Sequence, residues 1–181
     1  MTTPFEKTVS RVIEYNERGY SNRKTDSGGE TMYGITAKTA KACGYNGKMC
    51  DLPKQKAIDI YYTNYWKKSG ANQIEFLSFN IAFLLFDFAV NAGVVAAVKT
   101  LQKAINKTVV KPLLKTDGIY GKLTNQALID YSGSLNLIEK LFIAEILRYY
   151  TALKNAQTGF QKNGAGWVNR VANNLEFLGV V

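Results

Sequence analysis

The chain has 181 residues, a formal net charge of +9 at pH 7 and no histidine. Without histidine, the chain can form neither a Ser-His-Asp or Cys-His nucleophile system nor a zinc site with histidine ligands, so acid–base catalysis near neutral pH would depend on carboxylates, lysine or tyrosine. The two cysteines, Cys43 and Cys50, are too few for a disulfide framework or an all-cysteine metal site, and we expect a reduced pair, no metal and no cofactor.

The first predicted element is an amphipathic helix that ends before Gly19. Its apolar residues recur at the spacing i, i+4, i+7 and i+8: Phe5, Val9, Val12 and Ile13. Since an α-helix advances about 100° per residue, Glu17 falls at the edge of this apolar stripe, roughly 90° from its centre, where it can be half buried on the wall of a cleft. Glu14 falls nearly opposite the stripe and should be solvated, whereas the helix dipole explains Glu6 in the first turn.

A glycine-rich segment, residues 19–36, follows this helix and is expected to form an irregular loop or a short hairpin. It contains Asp26, nine residues after Glu17, and it contains Gly28 and Gly29, which should lie where φ is positive or where backbones approach closely. Two carboxylates held near each other in different environments are what hydrolysis of a glycosidic bond requires. This segment is therefore the predicted functional region.

Two helices are predicted in the middle of the chain. The first follows Pro53 and ends near Lys67 and Lys68, and its apolar and aromatic residues have the spacing of a core: Ile58, Tyr61, Tyr62, Tyr65 and Trp66. The second, from Ile74 to Asn91, is apolar almost all round, which indicates a helix buried on most sides. One narrow polar line interrupts it: Asn80, Asp87 and Asn91. These side chains could bind sugar hydroxyls, or they could form hydrogen bonds from the helix to loops, because buried polar groups need partners. The structural role is favoured for Asp87, and Asn91 is left open.

The C-terminal half contains four further predicted helices: Val94 to Asn106, about Leu123 to Ile129, Leu137 to Leu153, and Trp167 to Leu178. A turn over residues 117–121 precedes the second of them. The total is six or seven helices, and almost no segment shows the alternation of a strand. The predicted fold class is therefore all-α.

Three motifs stand close together in the first quarter of the chain: Glu17-Arg18-Gly19-Tyr20, Asp26-Ser27-Gly28-Gly29-Glu30-Thr31 and Tyr33-Gly34-Ile35-Thr36. They resemble the signature of glycoside hydrolase family 108, which comprises phage and bacterial N-acetylmuramidases, some described as secretion activators. The likeness continues at Tyr65-Trp66, Phe86-Asp87, Ala89-Val90-Asn91, Leu101-Gln102, Gly166-Trp167 and Arg170-Val171. Asp117-Gly118 with Gly121 and Thr124 resembles the peptidoglycan-binding region that usually follows.

The resemblance implies a lysozyme-like helical fold, with a small irregular loop or hairpin after the first helix. It implies cleavage of the β-1,4 bond between N-acetylmuramic acid and N-acetylglucosamine in peptidoglycan, and it places Glu17 on the family's catalytic glutamate. The spacing of Glu17, Asp26 and Thr31 is also similar to the Glu, Asp and Thr set of phage lysozymes of the T4 type. Residues 1–92 would be the muramidase region, and residues 93–181 a helical region resembling peptidoglycan-binding regions, packed with the first as one compact unit.

In this hypothesis Glu17 is the general acid that protonates the glycosidic oxygen. Asp26 is interpreted with nearly equal weight as a catalytic partner, which stabilises the transition state or orients the attacking water, and as a turn residue, while Thr31 would help to hold that water. Most aromatic residues should be core, but one or two could form a platform on which a sugar stacks. The candidates for substrate binding are Tyr20, Tyr33, Tyr65, Trp66 and Asn91.

The net charge of +9 indicates a polyanionic partner, which could be an anionic cell wall, nucleic acid or a membrane surface. We do not expect nucleic acid, because the basic residues are spread along the chain. We do not expect stable membrane insertion either, because the longest apolar run, from Ile81 to Val90, contains Asp87 and is too short to span a bilayer. The expected partner of this chain, as a monomer, is the glycan strand of peptidoglycan.

The N-terminus has no basic stretch followed by an apolar one, so we expect no secretory signal. The protein would then be made in the cytoplasm and would act on the cell wall or in the periplasm after release. The alternative function is that of a non-catalytic protein, which binds peptidoglycan or regulates secretion on a degenerate hydrolase scaffold. Arg18 leaves this alternative open, because the family commonly has glycine there.

Overall fold

A computed structural model describes residues 2–16, 19–22, 29–110, 113–154 and 159–180. The fold is all-α and lysozyme-like, with a small sheet after the first helix, which confirms the predicted fold class. Contacts between residues divide the chain into two compact units, Met1–Lys67 and Lys68–Val181. The sequence predicts a division after residue 92 instead, a position that falls within the second unit.

The first helix, α1 (Pro4–Arg11), begins with a capping box. The Thr3 hydroxyl accepts a hydrogen bond from the Glu6 amide at 3.1 Å, and the Glu6 carboxylate accepts one from the Thr3 amide at 2.8 Å. The hydrogen bonds that the Glu6 carboxylate accepts from Thr3, first of all from its backbone amide, lower the pKa of Glu6, so the cap explains this carboxylate more fully than the helix dipole does. The predicted apolar stripe is confirmed, because all four of its side chains are buried: Phe5, Val9, Val12 and Ile13.

The helix continues beyond α1 as one π-helical turn, Val12–Asn16. A π-helical turn has i→i+5 hydrogen bonds and holds more residues than an α-helical one. The advance of about 100° per residue that placed Glu17 at the stripe edge therefore does not apply across this turn. Glu17 and Arg18 lie outside the described residues, so the burial of Glu17 stays a prediction. Glu14, within the turn, is exposed as expected.

A small antiparallel sheet follows, and it confirms the predicted short hairpin. Its strands are arranged in sequence order: β1 (Tyr20–Ser21), β2 (Thr31–Met32) and β3 (Ile35–Thr36). Thr31 of β2 is paired with Ser21 on one side and with Thr36 on the other. Each strand has only two residues, which is too short to show the alternation by which strands are recognised in a sequence.

The remaining helices that begin in the first unit follow the sheet along the chain. They are α2 (Ala37–Ala42), a 3₁₀ turn (Met49–Asp51) and α3 (Lys54–Tyr61), which runs through a second π-helical turn (Tyr62–Trp66) into α4 (Lys67–Ser69). The helix predicted after Pro53 is thus confirmed, with the π-helical turn as an unexpected feature. The short helix α2 was not predicted, because six residues are too few for a helical pattern.

The second unit is a bundle in which α6 packs against α7 and α9, and α9 packs against α7 and α10. Its helices are α5 (Ala71–Ile74), α6 (Phe79–Ala92), α7 (Val94–Asn106), α8 (Lys122–Asp130), α9 (Leu135–Thr151) and α10 (Phe160–Leu178). The predicted burial of α6 is confirmed, since residues 81–89 are all buried. Within the described part of the chain, no helix combines the length and the apolar character needed to cross a bilayer.

Candidate functional site

The hairpin that carries Thr31 has an unusual turn. Tyr33 and Gly34 connect β2 to β3 with φ angles of +52° and +75°. A two-residue hairpin turn of type I′ needs positive φ at both central residues, which glycine adopts freely and a bulky side chain rarely does. Tyr33 is the only non-glycine residue with positive φ among the residues described by the structure. Such a conformation costs about 1–3 kcal/mol and persists only where the surrounding structure imposes it.

Two hydrogen bonds hold this turn in place. The backbone amide of Tyr33 donates to the carbonyl oxygen of Gly19 at 3.0 Å. The hydroxyl of Tyr61, from α3, donates to the carbonyl oxygen of Tyr33 at 2.7 Å. The side chain of Tyr61 is completely buried, so this second bond ties the turn to the core of the first unit. Sequence analysis placed Tyr61 in the core by its spacing and gave no sign that its hydroxyl supports the hairpin.

We therefore expect Tyr61→Phe to weaken the hairpin without disturbing the core. The phenyl ring keeps the packing, but the Tyr33 carbonyl loses its partner, which should lower the free energy of unfolding by about 1 kcal/mol. Chemical denaturation measures this difference. The matched control is Tyr62→Phe, one residue further on and exposed, which should change the stability by less than about 0.5 kcal/mol. Equal effects of the two substitutions would contradict the anchoring role.

The sheet brings together three of the residues that the sequence singles out: Tyr20 on β1, Thr31 on β2, and Tyr33 in the turn. Thr31 and Tyr33 are half buried, and Tyr20 is 46% exposed. The Tyr20 hydroxyl donates to a carboxylate oxygen of Glu30 at 2.7 Å. This hydrogen bond raises the pKa of Tyr20, because the carboxylate favours the protonated phenol. Glu30 is thus half buried and engaged, and it is not a free surface carboxylate.

The two predicted catalytic carboxylates flank strand β1 in the sequence. Glu17 directly follows the π-helical turn that ends at Asn16, and Asp26 stands between β1 and β2. Both carboxylates lie outside the described residues. π-Helical turns are rare and often occur at functional sites. Gly29, next to the undescribed Gly28, has a φ of +66°, which confirms the positive φ expected there for Gly29.

The aromatic residues of the second π-helical turn differ in their surroundings. Trp66 is completely buried and packs against Phe5, with ring centroids 5.5 Å apart. The expectation that Trp66 could contact a sugar is therefore wrong, because its indole has no exposed face and belongs to the core. Tyr65 is half buried, with its ring 5.6 Å from that of Tyr61. Its role in substrate binding stays a prediction.

The polar line on α6 forms hydrogen bonds between helices of the second unit. Asn80 donates to the carboxylate of Glu139 on α9 at 3.1 Å and 3.2 Å. The amide oxygen of Asn91 accepts a hydrogen bond from the Tyr150 hydroxyl, also on α9, at 2.9 Å. These hydrogen bonds support a structural role for Asn80 and Asn91. Asn91 is exposed, and its contact with substrate stays a prediction.

Asp87, the central residue of this line, is buried in an ion pair. Arg170 on α10 approaches it with Nη2 2.9 Å from Oδ1 and with Nε 3.0 Å from Oδ2. The side-chain amide of Asn174 donates to Oδ2 at 2.7 Å. These contacts support the structural role that the sequence favoured for Asp87.

The structure offers no obvious metal site within the residues it describes, since no three His, Cys, Asp or Glu side chains there are grouped to hold an ion. Both cysteines are free thiols. Cys43 accepts a hydrogen bond from the Asn64 side-chain amide at 3.0 Å, and Cys50 is exposed.

The region that contains the hairpin is similar to a known protein family. Residues 10–93 match the family model described as glycosyl hydrolase 108. The comparison with curated proteins gave no match. Among solved structures, a structure of Brucella abortus SagA is similar to this chain: it is 29% identical, the alignment covers 94% of this chain and 90% of that one, and the TM-score is 0.77. Over residues 10–93, this chain is therefore similar to the glycosyl hydrolase 108 family, and its fold is similar to that of SagA.

Proposed function

We propose that this glycoside hydrolase is an N-acetylmuramidase, which cleaves the β-1,4 bond between N-acetylmuramic acid and N-acetylglucosamine in peptidoglycan. The observation that carries the proposal is the match of residues 10–93 to a glycosyl hydrolase family. That span contains the three predicted catalytic residues Glu17, Asp26 and Thr31 and the anchored hairpin on which Thr31 lies.

Glu17 acts as the general acid in this proposal. The glycosidic oxygen is a poor leaving group, and it has to be protonated as the bond breaks. A glutamate that loses hydration beside an apolar helix face keeps its proton to higher pH, because burial disfavours the charged form. Since the chain has no histidine, a carboxylic acid is the natural group for this step.

Asp26 and Thr31 complete the proposed catalytic set. Asp26 would stabilise the oxocarbenium-like transition state or orient the attacking water, and the Thr31 hydroxyl would hold that water. Thr31 is suited to this role because β2 is paired on both sides and its turn is fixed by Tyr61. Carboxyl groups about 5–5.5 Å apart would give retention of configuration, and groups about 6.5–9.5 Å apart would give inversion.

The proposed substrate contacts in the first unit are tyrosines. Tyr20 and Tyr33 present phenol rings on the same sheet as Thr31, and Tyr65 stands next to the tyrosine that anchors the turn. In the second unit, Asn91 is the candidate. Residues 93–181 would contribute further binding of the polymer, as the likeness of Asp117-Gly118 to peptidoglycan-binding regions implies.

The positive charge of the chain supports an anionic polymer as substrate. A net charge of +9 raises the local concentration of enzyme on the wall, an effect that weakens as salt screens it. We propose a monomer that acts on the cell wall or in the periplasm.

Analysis of the products tests the bond that is cleaved. Purified peptidoglycan is digested, the new reducing ends are labelled by reduction with borodeuteride, and the fragments are identified by mass spectrometry. A muramidase leaves deuterium-labelled N-acetylmuramic acid at each new end, whereas labelled N-acetylglucosamine would contradict the proposed bond. Binding to the wall without any new reducing end would favour the alternative, a non-catalytic peptidoglycan-binding or secretion-regulating protein.

A further inference from the structure

An open groove lies beside the hairpin in the first unit, and nothing in the proposed catalytic set uses it. Its volume is 390 Å³, within the range of about 300–1,000 Å³ that is typical of ligand sites. Six of its lining residues carry polar or reactive side chains: Glu30, Lys41, Tyr45, Asn46, Lys48 and Cys50. The groove is therefore a polar site that is large enough for part of a peptide.

The backbone of the groove is well defined. Lys41 lies on α2, and Lys48 lies in the loop that follows. The Tyr45 hydroxyl donates to the carbonyl oxygen of Lys48 at 2.9 Å, which fixes this loop. At Gly47 a Cβ atom would approach the Tyr45 hydroxyl to 2.6 Å, so the ring would have to shift if a side chain were added there. The two ammonium groups are thus carried by an ordered framework.

The charges of the groove favour an anion. Lys41 and Lys48 are both exposed, and each can donate up to three hydrogen bonds. The carboxylate of Glu30 is already engaged by the Tyr20 hydroxyl at 2.7 Å. The residues that line the groove thus carry two ammonium groups and one carboxylate that already has a neutral partner, a net positive charge that favours an incoming acidic group.

The groove adjoins the proposed catalytic hairpin. Glu30 lines it and directly precedes Thr31 of β2, and the Glu30 carbonyl oxygen accepts a hydrogen bond from the amide of Ala37, which also lines it, at 2.9 Å. Thr31 is paired with Ser21, whereas the Glu30 carboxylate contacts Tyr20 of the neighbouring register, so the two side chains lie on opposite faces of β2. A sugar bound at Thr31 would therefore reach this groove only through a substituent several atoms long. In peptidoglycan the large substituent is the stem peptide, which is attached to the muramic acid itself and carries carboxylates.

We propose that this groove binds a carboxylate of the stem peptide through Lys41 and Lys48. The inference rests on the proposed muramidase function and names the form of the substrate, a glycan strand that still carries its peptides. A stem peptide is favoured over a separate anionic wall polymer, because its covalent attachment to the bound sugar gives it a high effective concentration at the groove.

The test combines a charge-neutral enzyme variant with a charge-neutral substrate. The double variant Lys41→Gln/Lys48→Gln and the native protein are assayed on peptidoglycan free of teichoic acid, either intact or with its carboxylates converted to amides by carbodiimide coupling. Amidation should raise the apparent KM of the native protein by roughly 3- to 10-fold, as expected for two solvated ion pairs. The double variant should already have this higher KM on intact peptidoglycan and should be insensitive to amidation, with kcat unchanged.

The matched control is Lys38→Gln/Lys67→Gln, which removes the same number of charges at exposed positions of the first unit that do not line the groove. This variant should respond to amidation as the native protein does. If the groove variant also responds to amidation as fully as the native protein, the inference is wrong. A defect that appears only on walls bearing teichoic acid would likewise overturn it and would identify a phosphate polymer as the ligand.

A binding assay separates failure of this inference from failure of the proposed function. Co-sedimentation with insoluble peptidoglycan measures the same dependence on Lys41, Lys48 and substrate carboxylates without turnover. If the native protein cleaves neither form of peptidoglycan, the muramidase proposal fails. The binding assay then still tests the groove: if the groove binds the stem peptide, amidation weakens binding of the native protein and has no effect on binding of the groove variant. If cleavage is normal and neither readout depends on the two lysines, only the groove proposal fails.

Discussion

Replacing Glu17 with glutamine should reduce the release of reducing ends from purified peptidoglycan by about 10²- to 10⁴-fold, the usual contribution of a positioned general acid. The amide has nearly the same shape as the carboxylic acid and can still donate a hydrogen bond, but it cannot transfer a proton to the leaving oxygen. A reducing-sugar assay measures the rate, and a thermal melt followed by circular dichroism shows whether the variant remains folded.

The same substitution at Glu14 provides the control. Glu14 lies in the π-helical turn just before Glu17, is exposed and stands 4.0 Å from the ammonium group of Lys54. Because an exposed ion pair contributes little, Glu14→Gln should leave both the activity and the stability nearly unchanged. Undiminished activity of the folded Glu17→Gln variant would remove Glu17 from the catalytic role, and equal losses in both variants would point to a shared effect on this turn.

The largest effect on stability is expected at Asp87. Its side chain is only 4% exposed and accepts hydrogen bonds from Arg170 and Asn174. Asp87→Asn would leave the buried guanidinium of Arg170 facing a neutral amide. Removing one partner of a buried ion pair typically costs about 3–5 kcal/mol, because the remaining charge is desolvated without compensation.

Denaturant unfolding, followed by circular dichroism and by tryptophan fluorescence, measures this loss. Trp167 on α10 lies one helical turn before Arg170, so its fluorescence reports on the same helix. The control is Asp130→Asn, an exposed aspartate at the end of α8, which should change the free energy of unfolding by less than about 0.5 kcal/mol. A loss below about 1 kcal/mol at Asp87 would show that the pair is solvated far more than its burial indicates.

Long periodic helices were predictable from the sequence, and short or weakly patterned ones were not. The helix α7 follows its predicted bounds because its apolar residues repeat over thirteen residues. The helix from Ile74 was predicted too early: α6 begins at Phe79, where the Ser78 hydroxyl caps it by accepting a hydrogen bond from the Ile81 amide at 3.2 Å. The start of α10 was missed by seven residues, since its first turns contain Gly164 and Gly166, which disfavour a helix.

The sequence singled out the residues proposed for catalysis, and it did not indicate the contacts that hold the hairpin in place. Residue types, spacing and the family resemblance singled out Glu17, Asp26 and Thr31. The hydroxyl of Tyr61 was missed because its partner, Tyr33, is 28 residues away, and no local pattern encodes a hydrogen bond over that separation. The π-helical turns were missed for a related reason, since a helical wheel assumes one constant angle per residue.

The polar line on α6 has a consequence for how the bundle reaches a single arrangement. A helix that is apolar on all sides can be rotated about its axis with little loss of hydrophobic contact, so burial alone does not select one orientation. The bonds of Asn80 and Asn91 to α9, and of Asp87 to α10, are all satisfied in only one rotation and one axial position. The three side chains therefore fix the rotation and axial position of α6 in the bundle, and they favour one native packing over the alternatives that an apolar helix would otherwise allow.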